Sequence, residues 1–139
     1  MKIKISALLT LFLLLNLSCA GIQITGSNVK KELHASRDYI KKDKANIYKL
    51  DNKIIGKKGY FYIIRSNGTL SYHPKKALIN IDFSGYPFVQ KVLKDRNGCI
   101  SFNADGVPRF IFFSEIDSDE ILCLTIESSE FDETVIDCN

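Results

Sequence analysis

The sequence predicts an α+β fold, in which one long amphipathic helix precedes a five-stranded antiparallel sheet and a helical insert separates strands two and three. Three observations carry this expectation. Apolar residues recur at helical spacing across residues 28–53; the period changes to that of strands at Gly59; and the later strand-like runs are joined by short turn sequences.

The helix is read from Leu33, Ser36, Ile40, Ile47, Leu50 and Ile54, which share one face, with Tyr39, Tyr48 and the lysines on the other. Ser27 or Asn28 supplies the cap, and Gly56 with Gly59 ends the helix. Ser36 and Asp43 interrupt the seam, so a coiled coil is not expected. Residues 60–64 and 69–72 then flank Ser66-Asn67-Gly68, a hairpin in which Asn-Gly suits a tight primed turn. Pro74 stops the second strand, and residues 75–94 form an insert with a turn at 84–87 and a short helix at 88–93. Strands resume at 99–102, 107–114 and 121–127, joined by Asn103-Ala104-Asp105-Gly106 and Asp117-Ser118-Asp119-Glu120. No repeat or low-complexity tract interrupts this order.

At 139 residues, with 45% hydrophobic and 25% charged side chains, the chain is the size of one domain, which excludes a multidomain enzyme. Its start reads as an export signal: Lys2 and Lys4 precede an apolar run at 5–17, broken by Ser6, Thr10 and Asn16 and short for a membrane span. The run ends at Leu17-Ser18-Cys19-Ala20, which resembles a bacterial lipobox, although Asn16 stands where the strict pattern has Leu. The expected organisation is a lipoprotein-type signal peptide at 1–18, a tether at 19–27 and one domain at 28–139 with a solvated acidic tail. Cys19 would carry lipid, and the protein would be an exported, periplasm-facing or outer-surface lipoprotein of the cell envelope. Plain secretion with cleavage after Ala20 is the rival reading.

The formal charge is +3, and loss of residues 1–18 leaves 17 basic against 16 acidic residues, so no nucleic-acid partner is expected. The distribution is uneven. Residues 28–76 hold 13 Lys or Arg against 4 Asp or Glu, while 77–139 hold 4 against 12. Either the two halves attract each other within the fold, or the basic helix meets anionic lipid headgroups.

Cys99, Cys123 and Cys138 remain after Cys19, and three thiols cannot all pair; a bridge from Cys138 to either Cys99 or Cys123 would leave one buried thiol. No C-x-x-C, G-x-S-x-G, H-E-x-x-H, P-loop or G-x-G-x-x-G occurs, and His34 and His73 are too few for a three-histidine metal site. The run 117–120 lacks the alternating ligands and central glycine of an EF-hand loop. Neither an enzyme, a metal site nor a cofactor is expected.

The stretch GYFYIIRSNGTLSYHP at residues 59–74 resembles the opening of a Cache domain: an aromatic strand, a turn before Gly-Thr, and a second strand closing on His-Pro. Tyr86-Pro87-Phe88-Val89 resembles the start of that family's insert helix, Asn97-Gly98 its turn into the third strand, and residues 109–113 its fourth strand. The likeness covers about residues 45–127. The chain departs from the family where Cys99 replaces a frequent aromatic residue and in having no Trp. The resemblance implies a PAS-like antiparallel sheet with a cavity between sheet and insert that holds a small metabolite, on a sensor domain without its own transmitter.

Candidate ligand-binding residues follow from that frame. His73 would donate to a carboxylate or fix the turn before Pro74; Tyr62 and Tyr60 share one strand face, with Phe61 and Ile63 on the other; Tyr86 and Phe88 would roof the cavity or pack in the core; Arg109 would clamp a carboxylate or sit exposed as a cross-strand charge. The functional expectation is a module that binds a small polar metabolite, such as a carboxylate or amino acid, and passes its occupancy to a signalling or surface protein partner. The alternative is a structural or surface-interaction lipoprotein whose cavity is filled by its own side chains.

Overall fold

The computed structural model describes residues 24–132 and 138. The expected signal peptide, Cys19 and most of the expected tether lie outside these residues.

The long helix is two pieces. Helix α1 runs Gly26–Lys42, capped by Thr25, whose hydroxyl accepts from the Asn28 amide at 3.2 Å, not by Ser27 or Asn28 as the sequence suggested. Asp43 ends it: the backbone there is extended (φ −156°, ψ 117°), and the carboxylate accepts from the Ala45 amide at 2.9 Å, starting a 3-10 turn at Lys44–Leu50. An Asp that bonds its own downstream amide competes with the helix, which is why apolar spacing across 28–53 does not become one rod.

Strands β1 (Ile54–Ile55), β2 (Gly59–Arg65), β3 (Leu70–Tyr72), β4 (Gly98–Ala104), β5 (Val107–Glu115) and β6 (Glu120–Glu127) make one antiparallel sheet of six strands in the order β1-β2-β6-β5-β4, with β3 also pairing β2. The sixth strand is β1, the shortest. Ile54, read from sequence as part of the helical seam, belongs to it and is 66% exposed.

The β2–β3 turn is wider than the two-residue primed form. The Gly68 amide bonds the Arg65 carbonyl, the Arg65 amide bonds the Thr69 carbonyl, and only Gly68 takes positive φ (86°). Gly68 is needed twice over, because a Cβ there would lie 2.6 Å from that of Ser84, where the insert docks. The insert returns antiparallel along this turn through a Thr69–Asp82 bridge, then forms helix α2 (Pro87–Asp95), with Pro87 in its first turn and Arg96 closing it in the left-handed conformation.

Alternation along the strands sorts side chains into two cores. Phe61, Ile63, Phe112, Leu122 and Leu124 face α1, meeting Val29, Leu33, Ile40 and Leu50. Tyr62, Ile64, Ile111, Phe113 and Cys123 face the insert, meeting Val89 and Val92 of α2. Cys99 bridges Cys138 on the α1 side, so of the two pairings open from sequence this one forms, and Cys123 is the buried free thiol. The tail is not wholly solvated. Phe131 packs 5.4 Å from Phe110, and Asp132 exchanges hydrogen bonds with Ile24 at 2.9 and 3.1 Å, joining the two ends of the domain.

Candidate ligand site

On the insert side, register sets out rows of side chains across the sheet. Arg109 stands opposite Phe102 on β4 and Glu127 on β6, and the neighbouring row holds Tyr60, Thr125 and Ile111. Helix α2 covers the β4 end of these rows. The space beneath it is filled: Val89, Val92, Ile111 and Phe113 are buried, and Phe88 stacks on Phe102 at 4.9 Å. The cavity expected between sheet and insert therefore does not lie under α2.

Open space appears at the other end of the rows, where Lys58, Tyr60, Arg109, Thr125 and Glu127 line a cleft of about 190 Å³. Lys58 pairs with Glu127 at 3.4 Å. Arg109 has no ion pair among the described residues, and its Nε–H is buried without an acceptor. Behind the cleft, the Thr125 hydroxyl donates to the Tyr62 hydroxyl at 3.3 Å, and burial pushes the Tyr62 phenol well above its ordinary pKa, so it stays neutral.

His73 lies edge-on to Tyr60 (5.2 Å) and beside Tyr62 (5.9 Å). Its Nδ1 accepts from the Lys75 amide at 2.9 Å, so one nitrogen is occupied in holding the turn after β3. Desolvation lowers its pKa, which keeps the imidazole neutral near pH 7. Tyr86 lies outside the cleft, 53% exposed between Phe83 and Phe88 at the start of α2. Of the five residues singled out from sequence, Arg109 lines the cleft, Tyr62 and His73 stand behind it, Phe88 packs on β4, and Tyr86 faces outward. Lys58, Thr125 and Glu127 were missed. The one signal for Thr125 was a hydroxyl residue inside an otherwise apolar strand, and the pairing of β6 that makes it meaningful is non-local.

A larger groove of about 890 Å³ lies at the edge of the sheet, between the start of α1, β1 and residues 128–132. Its carboxylates are engaged: Glu130 accepts from the Lys57 and Lys58 amides, Asp132 from the Ile24 amide, and Glu32 pairs with Lys53. Size favours this groove, but the smaller cleft has the buried donor without an acceptor. Among the described residues no group of three or more His, Cys, Asp or Glu could hold a metal.

No protein-family model matches the chain, and no curated protein matches its sequence. Solved structures do match. The periplasmic sensor domain of a chemotaxis protein superposes with a TM-score of 0.58 at 16% identity, over 73% of this chain and 92% of that one. A Cache chemosensory domain described for carboxylic acid recognition gives 0.53 at 12% identity, over 73% and 87%. The extracellular domain of a protein described as a histidine kinase gives 0.52 at 15%, over 68% of this chain, which spans only 38% of that domain. At such identities the likeness is one of architecture, and the chain has the α+β, PAS-like antiparallel-sheet fold of the Cache sensor domains.

Proposed function

We propose that this protein is an exported sensor-type domain that binds a small carboxylate-bearing metabolite at the Arg109 end of its insert-side sheet face. The observation that carries the reading is the buried Arg109 Nε–H without an acceptor, lining a cleft with Tyr60 and Thr125. A buried donor left unmet costs about 1–3 kcal/mol, and a carboxylate held by the guanidinium would remove that cost. Glu127 and Lys58 add one charge of each sign, so an amino acid could set its ammonium toward Glu127. The cleft, about 190 Å³ and open to solvent, has room for a small ligand. The fold shared with a domain described for carboxylic acid recognition supports the same class. Cys19 would tether the domain to a membrane through lipid, and occupancy would pass to a separate protein partner.

The filled space under α2 favours a second reading, a surface-interaction scaffold without a ligand. A thermal-shift screen of short carboxylates and amino acids separates the two. A ligand at about a hundred times its dissociation constant adds roughly 2.7 kcal/mol, a shift of several degrees. Arg109→Ala should abolish the shift and Tyr86→Ala should leave it. A cooperative melt that no compound moves would favour the scaffold.

A further inference from the structure

We infer that the outer face of α1 is a docking surface for an anionic lipid bilayer. Lys30, Lys31, Lys41 and Lys42 are all exposed, and none has an ion pair among the described residues. The two doublets are eleven residues apart, just over three helical turns, so they point to one side about 16 Å from each other. The buried stripe of Val29, Leu33, Ser36 and Ile40 faces the opposite way. The one acid on the outer face, Asp38, is held by Arg37 at 2.8 Å. The surface continues into the 3-10 turn, where Lys49 bonds the Tyr39 hydroxyl and lies over its ring, and Tyr39 (43% exposed) and Tyr48 (62%) present amphipathic rings of the kind that settle at headgroup level.

Among the described residues the acidic half leaves this face alone. Its cross-half ion pairs there reach Lys44, from Asp117 and Glu120, and Lys58, from Glu127; none of them reaches α1. The described acids thus do not neutralise the basic helix. Charge complementarity selects an anionic occupant, and position selects a bilayer over an acidic protein: Cys19 lies six residues before Thr25, a reach of at most about 20 Å. This step rests on the lipid-anchored reading for proximity alone, and the ligand cleft does not enter it.

The test is partition of the full chain between solution and vesicles of phosphatidylcholine alone or with one third phosphatidylglycerol. Each lysine at an anionic surface contributes about fivefold, so the wild type should prefer the anionic vesicles by well over tenfold, and high salt should erase the preference. Joint substitution Lys30→Gln, Lys31→Gln, Lys41→Gln and Lys42→Gln should collapse the ratio, while the same four changes to Arg should keep it. Binding to neutral vesicles reads the N-terminal anchor separately, so its loss would overturn anchoring without touching the ratio. Should the Gln variant not fold, trypsin cleavage after these lysines in the wild type, slowed by anionic but not neutral vesicles, supports the inference. A wild-type ratio near one, or a ratio unchanged by the four Gln substitutions in a folded protein, overturns it and assigns the face to an acidic protein.

Discussion

The two faces of the sheet come from the same alternating strands yet end in different states. The α1 side is closed across the central strands and opens only at the sheet edge, where the larger groove lies: Phe61, Phe112, Leu122 and Leu124 are fully buried, and the Cys99–Cys138 bridge ties the tail onto the same layer. The insert side is graded. It is as tightly filled as the other face beneath α2 and becomes polar and open toward Lys58, Arg109 and Glu127. Burial on the closed face is worth about 1.5–3 kcal/mol for each large apolar side chain, whereas the open end holds a charged group whose hydrogen-bonding potential is not met. One face secures the fold, and its stability lets the other keep a costly group.

The sharpest test of that division is a pair of truncations. Phe112→Ala removes a ring that packs against Phe110 and Phe131 in the closed layer and should cost about 3–5 kcal/mol by urea denaturation. Arg109→Ala should change stability by less than about 0.5 kcal/mol, or raise it, because its buried Nε–H gives up no hydrogen bond and no ion pair among the described residues holds the guanidinium. A large loss from Arg109→Ala would break the comparison by making the open end structural.

The disulfide comes next. It closes a loop of sequence separation 39, for which loop-closure entropy gives about 4 kcal/mol as an upper figure. Reduction should lower stability by a few kcal/mol, and hydrogen exchange should rise first in β4 and in residues 128–132 while β2 and β6 stay protected. Uniform loosening of both faces would mean that the bridge does not belong to one layer.

Much of this division was legible in the sequence, because period-2 alternation needs no tertiary information. That Tyr60 and Tyr62 share a face opposite Phe61 and Ile63 could be read directly; which face meets the helix could not, since both sets are apolar enough for either. Asp43 was seen to interrupt the seam, but its capping of Ala45, which splits the helix, is a local competition that apolar spacing does not register. Ile54 fits the helical period by coincidence, and its place in β1 depends on pairing with Tyr60. The site was least legible. Arg109 could be proposed from chemistry, but its neighbours Lys58, in the turn before β2, and Thr125 and Glu127, both on β6, are brought beside β5 only by the sheet order.

The smallest predicted effect concerns pH, and it too divides the faces. His73 is buried on the insert side, and desolvation holds its pKa below the ordinary value of 6.5, while its Nδ1 accepts from the Lys75 amide. The unfolded chain therefore binds this proton more readily than the folded one. Stability is fully present above about pH 6.5, falls as pH drops through that value, and levels off below the depressed folded-state pKa. Asp117 acts in a separate window: Lys44 holds its carboxyl below 3.8, so its contribution is present above about pH 4 and lost below it. His73→Asn retains a side-chain acceptor for the Lys75 amide but removes the titration. Urea midpoints should then become flat just below pH 6.5, where the wild type loses stability. A slope that survives His73→Asn would place the titrating group elsewhere and remove the insert face from the pH response.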